Sequence, residues 1–224
     1  MPLARHLTTA AVTFLAAVSV PRASTFAGQR YYVDIGVSAS DDGSNWDQAF
    51  KYLQEALAAA GPGDEIWVAK GVYEPTDFGA GGRAASFVLR TGVTLYGGFA
   101  SGDYDPAARD PRLKPAVLSG DLSGNDQSTC ESDDDCVPGG PQACVDGLCR
   151  GDNSYHVVTA DAVDGTAVLD GFYISGGQAN GAGSDARGGG LLIVSGSPTI
   201  RNCIIEDNFA QGNGGGLATS AFDD

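Results

Sequence analysis

The chain has 224 residues and a formal net charge of −15, with 28 acidic side chains against 13 basic ones. A surface with this excess of negative charge repels a phosphate backbone, so the composition argues against nucleic acid as a partner. The 33 glycines and the scarcity of helical periodicity indicate a turn-rich, all-β fold. The length suffices for one domain.

Residues 1–27 have the pattern of a secretory signal peptide. Arg5 precedes an apolar run from Leu7 to Val20, and Thr25-Phe26-Ala27 supplies small residues at a cleavage position. A run of about 14 residues is shorter than the ~20 that a membrane-spanning helix needs. We therefore predict export, with cleavage after Ala27 or alternatively after Ala23, and no transmembrane segment in the remaining chain. Removing the two arginines of this segment changes the charge to 11 minus 28, or −17.

One amphipathic helix is predicted from Trp46 to Ala60. Ser44 and Asp47 fit an N-terminal cap, and Gly61-Pro62-Gly63 ends the pattern. The apolar residues of one face are Phe50, Leu53, Leu57 and Ala60. A single apolar stripe directly before the first predicted strand, Glu65 to Ala69, predicts a helix that covers the N-terminal end of a stack of strands.

An internal repeat follows later in the chain. Gly188-Gly189-Gly190-Leu191 recurs as Gly214-Gly215-Gly216-Leu217, a period of 214 minus 188, or 26 residues. Strand-like runs from Leu191 to Val194 and from Thr199 to Ile205 lie between the copies. A unit with one sheet layer cannot bury its own apolar face, so the repeat predicts a solenoid. Fainter units are predicted at Glu65 to Ala69, Phe87 to Phe99 and Ala116 to Gly120, which makes about five coils.

A similar pattern occurs upstream of this repeat, where Val168 to Ile174 aligns with Thr199 to Ile205. Alternation places three residues of each segment inside the coil, namely Leu169, Phe172 and Ile174 with Ile200, Cys203 and Ile205. Gly171 and Asn202 fall at a bend that suits a left-handed backbone. The outward residues are Asp170, Arg201 and Ile204, and the first two predict a surface ion pair. Cys203 is predicted to be a free thiol that behaves as a small apolar side chain.

Residues 121–152 form a predicted insert that contains four of the five cysteines. These are Cys130, Cys136, Cys144 and Cys149. Zinc sites favour closer cysteine pairs or histidines, which are absent here, and an exported chain meets an oxidising compartment. The insert is therefore predicted to contain two local disulfides, and the spacing leaves three connectivities open.

The same insert is strongly acidic, with one base, Arg150. Its acids are Asp121, Asp126, Glu131, Asp133, Asp134, Asp135, Asp146 and Asp152. An EF-hand register starting at Asp121 has Asp126 where glycine is required and Ser132 where a bidentate glutamate belongs. Gly181 to Asp185 is a lone fragment of a calcium-binding nonapeptide repeat, which works in tandem. We predict a solvated loop and no cofactor, and calcium stays open without a definable site.

Seven segments have the pattern of a known family, namely Tyr31 to Asp34, Asp42 to Trp46, Gly63 to Tyr73, Leu95 to Phe99, Leu118 to Asp121, Asn153 to Val158 and Leu169 to Phe172. They resemble secreted bacterial right-handed parallel β-helix proteins of the pectate-lyase-like superfamily. The resemblance covers residues 28–224 apart from the insert, and it implies a right-handed parallel β-helix. Ile205-Glu206-Asp207-Asn208 and Gly215-Gly216-Leu217 also resemble the repeats of polymorphic outer-membrane proteins, which implies an extracellular or outer-surface location.

Relatives in this superfamily cleave, isomerise or de-esterify acidic polysaccharides, and such chemistry needs paired or clustered carboxylates with an acid or base. The outward residues form no such cluster. Gly71 to Pro75 resembles a pectin methylesterase motif, but its glutamate is one position early, and His156 is assigned a structural role. We therefore predict no catalytic, cofactor-binding or metal-binding residue.

The predicted function is that of a secreted or cell-surface module for interaction or adhesion. A polysaccharide or another cell-surface ligand is the candidate partner, with Tyr96, Tyr104 and Tyr173 as aromatic contacts. The alternative is a polysaccharide lyase or hydrolase, and a structural stalk is a third class. Because Ala218 to Asp224 is too short to complete the coil that begins at Gly214, we also expect an open C-terminal end that favours self-association.

Overall fold

A computed structural model describes residues 28–75, 82–126, 129–136, 144–145 and 147–220. The predicted signal peptide lies outside these residues. The described chain consists mainly of strands in parallel sheets, with a single α-helix, α1 (Leu53–Ala59). The predominantly β fold is therefore confirmed.

The strands are short. They are β1 (Arg30–Val33), β2 (Glu65–Ala69), β3 (Gly71–Tyr73), β4 (Phe87–Val88), β5 (Thr94–Phe99), β6 (Ala116–Ser119), β7 (Cys144–Val145), β8 (Leu148–Cys149), β9 (Val158–Asp161), β10 (Val168–Asp170), β11 (Phe172–Ser175), β12 (Gln178–Ala179), β13 (Leu191–Val194), β14 (Thr199–Arg201), β15 (Ile204–Ile205), β16 (Phe209–Ala210) and β17 (Leu217–Ser220). Short 3₁₀ turns occupy Trp46–Gln48, Gly82–Ala84, Pro106–Ala108, Asp133–Asp135 and Gly183–Ala186.

Three larger sheets contain most of these strands. The first sheet has the order β1-β2-β5-β10-β14, the second β15-β11-β6-β3 and the third β17-β13-β9-β4. All of their pairings are parallel. From β2 onward the chain contributes to the three sheets in turn, so each round adds one strand to each sheet.

The predicted register between the two aligned segments is confirmed. Leu169 pairs with Ile200, Asp170 with Arg201 and Ile174 with Ile205. The predicted bend also has the expected backbone, because Gly171 has a φ of 83° and Asn202 a φ of 52°. Leu191 pairs with Leu217 in the same way, as the 26-residue period predicts.

The core joins buried residues from all three sheets. Leu169, Phe172 and Ile174 are fully buried in it, and their matches Ile200, Cys203 and Ile205 are partly buried against it. The predicted inward positions are therefore confirmed.

The helix begins later than the sequence predicts. The prediction runs from Trp46 to Ala60, whereas α1 begins at Leu53 and Trp46–Gln48 is a 3₁₀ turn capped by the side chain of Asn45. Between this turn and α1, the Phe50 N–H donates to the carbonyl oxygen of Tyr32 in β1. The Phe50 carbonyl oxygen accepts from the N–H of Asp34, the residue that follows β1. Because this backbone is committed to extended pairing, it cannot form the helical hydrogen bonds that the apolar spacing suggests.

The helix packs beside the edge of the first sheet. Leu53, Ala56 and Leu57 are buried, and α1 contacts β1, β2 and β4. The first strand is β1 rather than the predicted Glu65 to Ala69, which is β2. Among the described residues, no helix has the length and apolar character that crossing a bilayer requires.

Two disulfides close the insert, as predicted. Cys130 is bonded to Cys144 and Cys136 to Cys149, which selects one of the three connectivities. The short antiparallel pair β7–β8 places Cys144 opposite Cys149 and so brings the two bridges side by side. Cys203 lies outside any disulfide.

Candidate functional site

One row of side chains runs across the outer face of the first sheet. The register places Tyr32 on β1 beside Trp67 on β2, and Trp67 beside Tyr96 on β5. The row continues with Asp170 on β10 and Arg201 on β14. Because residues in register on parallel strands point to the same face, these five residues form one continuous outer row.

The aromatic end of the outer row packs into a second apolar cluster, outside the core. The rings of Trp67 and Phe99 stack with centroids 4.3 Å apart, and Tyr32 meets Trp46 edge-on at 4.8 Å. These four side chains are buried. Tyr104, a predicted aromatic contact, lies 5.8 Å from Tyr32 and is 56% exposed. Most of these rings therefore stabilise the fold, while Tyr104 presents its surface to solvent.

A cavity of about 180 Å³ opens at this end of the row. It is lined by Arg30, Glu65, Trp67, Tyr96, Phe99, Pro106 and Arg109. The Arg30 guanidinium lies over the Trp67 ring at 4.0 Å and pairs with the Glu65 carboxylate at 2.9 Å. The Trp67 indole N–H also donates to Glu65 Oε2, at 3.0 Å. The cavity therefore combines an aromatic wall with a polar network.

The predicted ion pair between Asp170 and Arg201 is present, but its Asp170 end is buried and does not lie at the surface. Asp170 is 3% exposed. Its carboxylate accepts hydrogen bonds from Arg109 at 2.5 Å, Arg201 at 2.7 Å and Asn202 at 2.9 Å. The physical reason is Arg109, which arrives from the loop after β5 and covers the carboxylate. Burial raises the pKa of Asp170, but the hydrogen bonds from these three side chains outweigh it and hold the pKa below its ordinary value.

Arg109 connects this buried carboxylate to the aromatic row. Its guanidinium lies 5.2 Å from the centroid of the Tyr96 ring and donates to the carbonyl oxygen of Gly97. Arg201, whose side chain is 51% exposed, reaches the other oxygen of Asp170. The pKa of Arg201 is raised by its hydrogen bond to Asp170 and by the charge of the same carboxylate.

A second cavity, of about 360 Å³, adjoins the first at Arg109. It is lined by Arg109, Asp110, Pro111, Arg112, Tyr173, Asn202, Cys203 and Ile204. The structure thus brings the predicted Tyr173 and Tyr96 to two neighbouring cavities that share one arginine. We call the two cavities together the arginine groove.

The arginine groove is less acidic than the chain as a whole. Four arginines line or adjoin it, namely Arg30, Arg109, Arg112 and Arg201, against the carboxylates of Glu65, Asp110 and Asp170. Arg112 is exposed, and no ion pair is formed by it within the described part of the chain. An exposed guanidinium without an acidic partner is available to a ligand.

A larger cavity, of about 520 Å³, lies elsewhere, between α1 and β4. Its lining is mostly apolar or small, and the guanidinium of Arg90 there donates to the carbonyl oxygens of Leu57 and Ala58 at the end of α1. That arginine therefore completes the helix terminus and is not directed at a ligand.

The remaining predicted residues are placed as follows. His156 is 8% exposed, with Nδ1 3.0 Å from the Gly188 carbonyl oxygen and Nε2 3.5 Å from Asp185. Gly181 to Asp185 forms a closed turn, because the Gly181 N–H donates to the Asp185 carbonyl. In the segment resembling the methylesterase motif, the hydroxyl of buried Tyr73 donates to the Ala69 carbonyl. None of these residues lines the arginine groove.

Among the described residues, one group of three His, Cys, Asp or Glu side chains brings its potential metal-ligand atoms together. The sulfur atoms of Cys130, Cys136 and Cys149 lie within 4.8 Å of one another. All three belong to disulfides, so none is the thiolate that a metal requires.

Most of the residues that build the arginine groove could not be predicted from the sequence. Glu65 and Trp67 belong to a predicted strand whose outward side was not recognised as a site, and Arg30 lies before the first predicted strand. A local signal does exist for the second cavity, because three basic residues, Arg109, Arg112 and Lys114, fall within one segment of six residues, whereas the chain as a whole is acidic.

Comparison of the chain with protein-family models, with curated proteins and with solved structures found no match in any of the three.

Proposed function

We propose that this protein is an extracellular right-handed parallel β-helix whose arginine groove binds an acidic carbohydrate chain. Support for the coil comes from the order of the strands. Three parallel sheets receive one strand each in every round of the chain, and residues one round apart lie in register. The sequence resemblance to secreted β-helix proteins points the same way.

The ligand class is inferred from one observation, the pair of adjoining cavities with Arg109 between them. Buried Asp170 fixes the Arg109 guanidinium, while Arg112 is exposed nearby and has no acidic partner among the described residues. A guanidinium recognises a carboxylate or a sulfate through two parallel hydrogen bonds. Two adjoining cavities fit successive units of a chain better than one small molecule.

Tyr96 and Tyr173 supply the second part of this recognition. Tyr96 lines the first cavity and Tyr173 the second, and both are half-buried. A tyrosine in this setting presents an apolar ring and a polar hydroxyl at one surface, as a sugar ring with apolar faces and polar edges requires.

The carboxylates of the groove favour binding over hydrolysis. A hydrolase needs one carboxyl group that holds a proton near neutral pH. Here the pKa of Asp170 is lowered by its hydrogen bonds, and Glu65 accepts hydrogen bonds from Arg30 and Trp67. Asp110 accepts from the backbone N–H groups of Arg112 and Leu113. All three carboxylates are thus engaged by donors of the protein, which supports binding over hydrolysis.

The proposal is tested by calorimetric titration of the purified protein with oligogalacturonate. We expect saturable binding that weakens with salt, and Arg112→Ala should weaken it about tenfold. Arg187→Ala is the matched control, because Arg187 is equally exposed and lies outside the groove. Equal losses in the two variants would show unspecific charge attraction and contradict the proposal. Equal binding of a fully methyl-esterified, uncharged ligand would show that the carboxylates are not recognised, and would contradict it as well.

The same mixtures distinguish a binding module from an enzyme. Reducing ends and the absorbance of unsaturated product are followed with and without calcium. Turnover that a single groove substitution abolishes would replace the binding module with the lyase or hydrolase alternative.

A further inference from the structure

The two ends of the insert meet at one corner of the second sheet. The insert leaves after β6 and returns at Asn153, and the Ser154 N–H donates to the Gly120 carbonyl at 2.8 Å. Asn153 is fully buried. Its amide nitrogen donates to Asp126 Oδ2 at 2.9 Å and to the Gly176 carbonyl at 2.7 Å. We call Asp126, Asp152 and Asn153 the insert base.

The insert base contains buried oxygen atoms that no donor of the described residues reaches. Asp152 is 6% exposed, and neither of its carboxylate oxygens accepts a hydrogen bond from that part of the chain. The same holds for Oδ1 of Asp126 and Oδ1 of Asn153. A buried carboxylate without a donor is strongly unfavourable unless a proton, a cation or water compensates it.

The surroundings of the insert base are acidic. Burial raises the pKa of Glu74, and the charges of Asp121 and Asp152 raise it further. Burial also raises the pKa of Asp126, to about 6, with smaller contributions from the same two aspartates. Asp121 and Asp152 therefore lie near enough to Glu74 and to Asp126 for their charges to act on both.

Two arginines offset this charge incompletely. Arg150 Nε lies 3.7 Å from Asp126 Oδ2, which is an ion pair without a hydrogen bond. The Arg83 guanidinium is near enough to feel the charge of Asp152, but it donates to Asn153 O, Gln178 O and Asn180 Oδ1. Four carboxylates face two bases, so a net negative charge remains at the insert base.

We propose that the insert base binds one calcium ion, with the carboxylates of Asp126 and Asp152 and the amide oxygen of Asn153 as ligands. Calcium takes oxygen ligands, accepts carboxylates, amide oxygens and water together, and tolerates irregular geometry. Zinc and the later transition metals prefer nitrogen or thiolate ligands, which this set lacks.

The number of charged ligands is limited by geometry. No three carboxylates of the described residues bring oxygen atoms within 4.8 Å of one another. The site therefore uses two carboxylates and completes its coordination with neutral oxygens, as the buried amide oxygen of Asn153 permits. An ion held in this way links Asp126, near the start of the insert, to Asp152, at its end, and complements the two disulfides in fixing the loop.

The proposal is tested on the purified protein with both disulfides intact, first stripped of metal by a chelator. Calcium chloride is titrated by calorimetry at about 0.15 M ionic strength, which screens diffuse charge. We expect one ion per chain. Amide hydrogen exchange should slow in residues 121–126 and 150–154 when calcium is added.

Two variants and one matched control locate the site. Asp152→Asn and Asp126→Asn each remove one ligand charge and should weaken calcium binding about tenfold or more, since affinity follows the charge count of the ligands. Asp134→Asn makes the same change at an exposed acid of the insert and should leave affinity within about twofold.

Three results would overturn the proposal. The first is the absence of saturable binding at about 10 mM calcium, a concentration well above the dissociation constants of the weakest extracellular calcium sites. The second is an equal loss of affinity in all three variants. The third is that magnesium gives the same stoichiometry and the same protection from hydrogen exchange as calcium. If Asp152→Asn fails to fold, the exchange measurement on the unmodified protein and the Asp126→Asn variant still decide the question.

Discussion

Arg109 Nη2 lies 2.5 Å from Oδ1 of Asp170, a residue 61 positions further along the chain, and the two side chains are 16% and 4% exposed. This buried ion pair joins the loop after β5 to the outer face of β10. It also separates the two cavities of the arginine groove, because Arg109 lines both. Stability and the proposed ligand binding therefore depend on the same side chain.

The pair predicts a large effect on stability. Arg109→Ala leaves the Asp170 carboxylate buried with its remaining donors and should lower the free energy of unfolding by about 3 kcal/mol. Urea denaturation followed by circular dichroism measures this change. Asp161→Asn, at an exposed acid at the end of β9, is the control and should change stability by less than about 0.5 kcal/mol. A loss for Arg109→Ala as small as that of the control would mean that the pair contributes little.

The sequence predicted the features that follow from spacing. Strands β2 and β13 have the predicted bounds, and the register of Val168 to Ile174 with Thr199 to Ile205 is correct. Both rest on period-two alternation and on a bend that admits only a few residue types, and these constraints are local.

Contacts between distant segments could not be predicted in this way. Arg109 belongs to a loop that does not repeat, so no periodicity places it on Asp170. The position of Phe50 fits the apolar face of the predicted helix. Only the backbone pairing of Phe50 with β1 shows that the helix begins later. The cysteine spacing left three connectivities, because the pairing depends on how β7 and β8 fold against each other.

The bend at Gly171 predicts a strong requirement for glycine. Its φ is 83°, and a Cβ atom there would lie 2.0 Å from Arg109 Nη2. Gly171→Ala should therefore cost about 2 kcal/mol from the backbone alone and more from displacing the arginine. Gly165→Ala is the control, because its added Cβ would make only an ordinary contact of 3.6 Å with the Ser197 carbonyl oxygen. Thermal unfolding of the two variants compares them directly, and similar midpoints would contradict the steric argument.

The disulfides predict a local rather than a global effect of reduction. Each bridge closes a short loop, with sequence separations of 14 and 13 residues, and contributes about 3 kcal/mol by the loop-entropy model. Both loops lie within the insert, so reduction should accelerate hydrogen exchange there and leave β10 and β13 protected. Peptide mapping without reduction should recover Cys130 with Cys144 and Cys136 with Cys149. Any other pairing, or loss of protection throughout the sheets, would contradict this prediction.

The raised pKa of Asp126 predicts that the free energy of unfolding depends on pH and that calcium reverses this dependence. Its folded pKa of about 6 lies above its ordinary value of 3.8, chiefly because of burial, while Asp121 and Asp152 raise it and Asn153 and Arg150 lower it. Between about pH 4 and 6 the folded chain therefore binds a proton that the unfolded chain does not, and the free energy of unfolding falls as the pH rises through this range. With chelator present, Asp126→Asn should flatten this decline, and the part that remains comes from Glu74, whose pKa is also raised.

With calcium present, the unmodified protein should be more stable than Asp126→Asn at about pH 7.5, because the ion binds the ionised carboxylate and stabilises the folded chain. Urea denaturation at several pH values, with chelator and with calcium, measures both slopes. An unmodified protein whose stability does not decline between about pH 4 and 6 in chelator would show that Asp126 is not the buried, charge-repelled group described here.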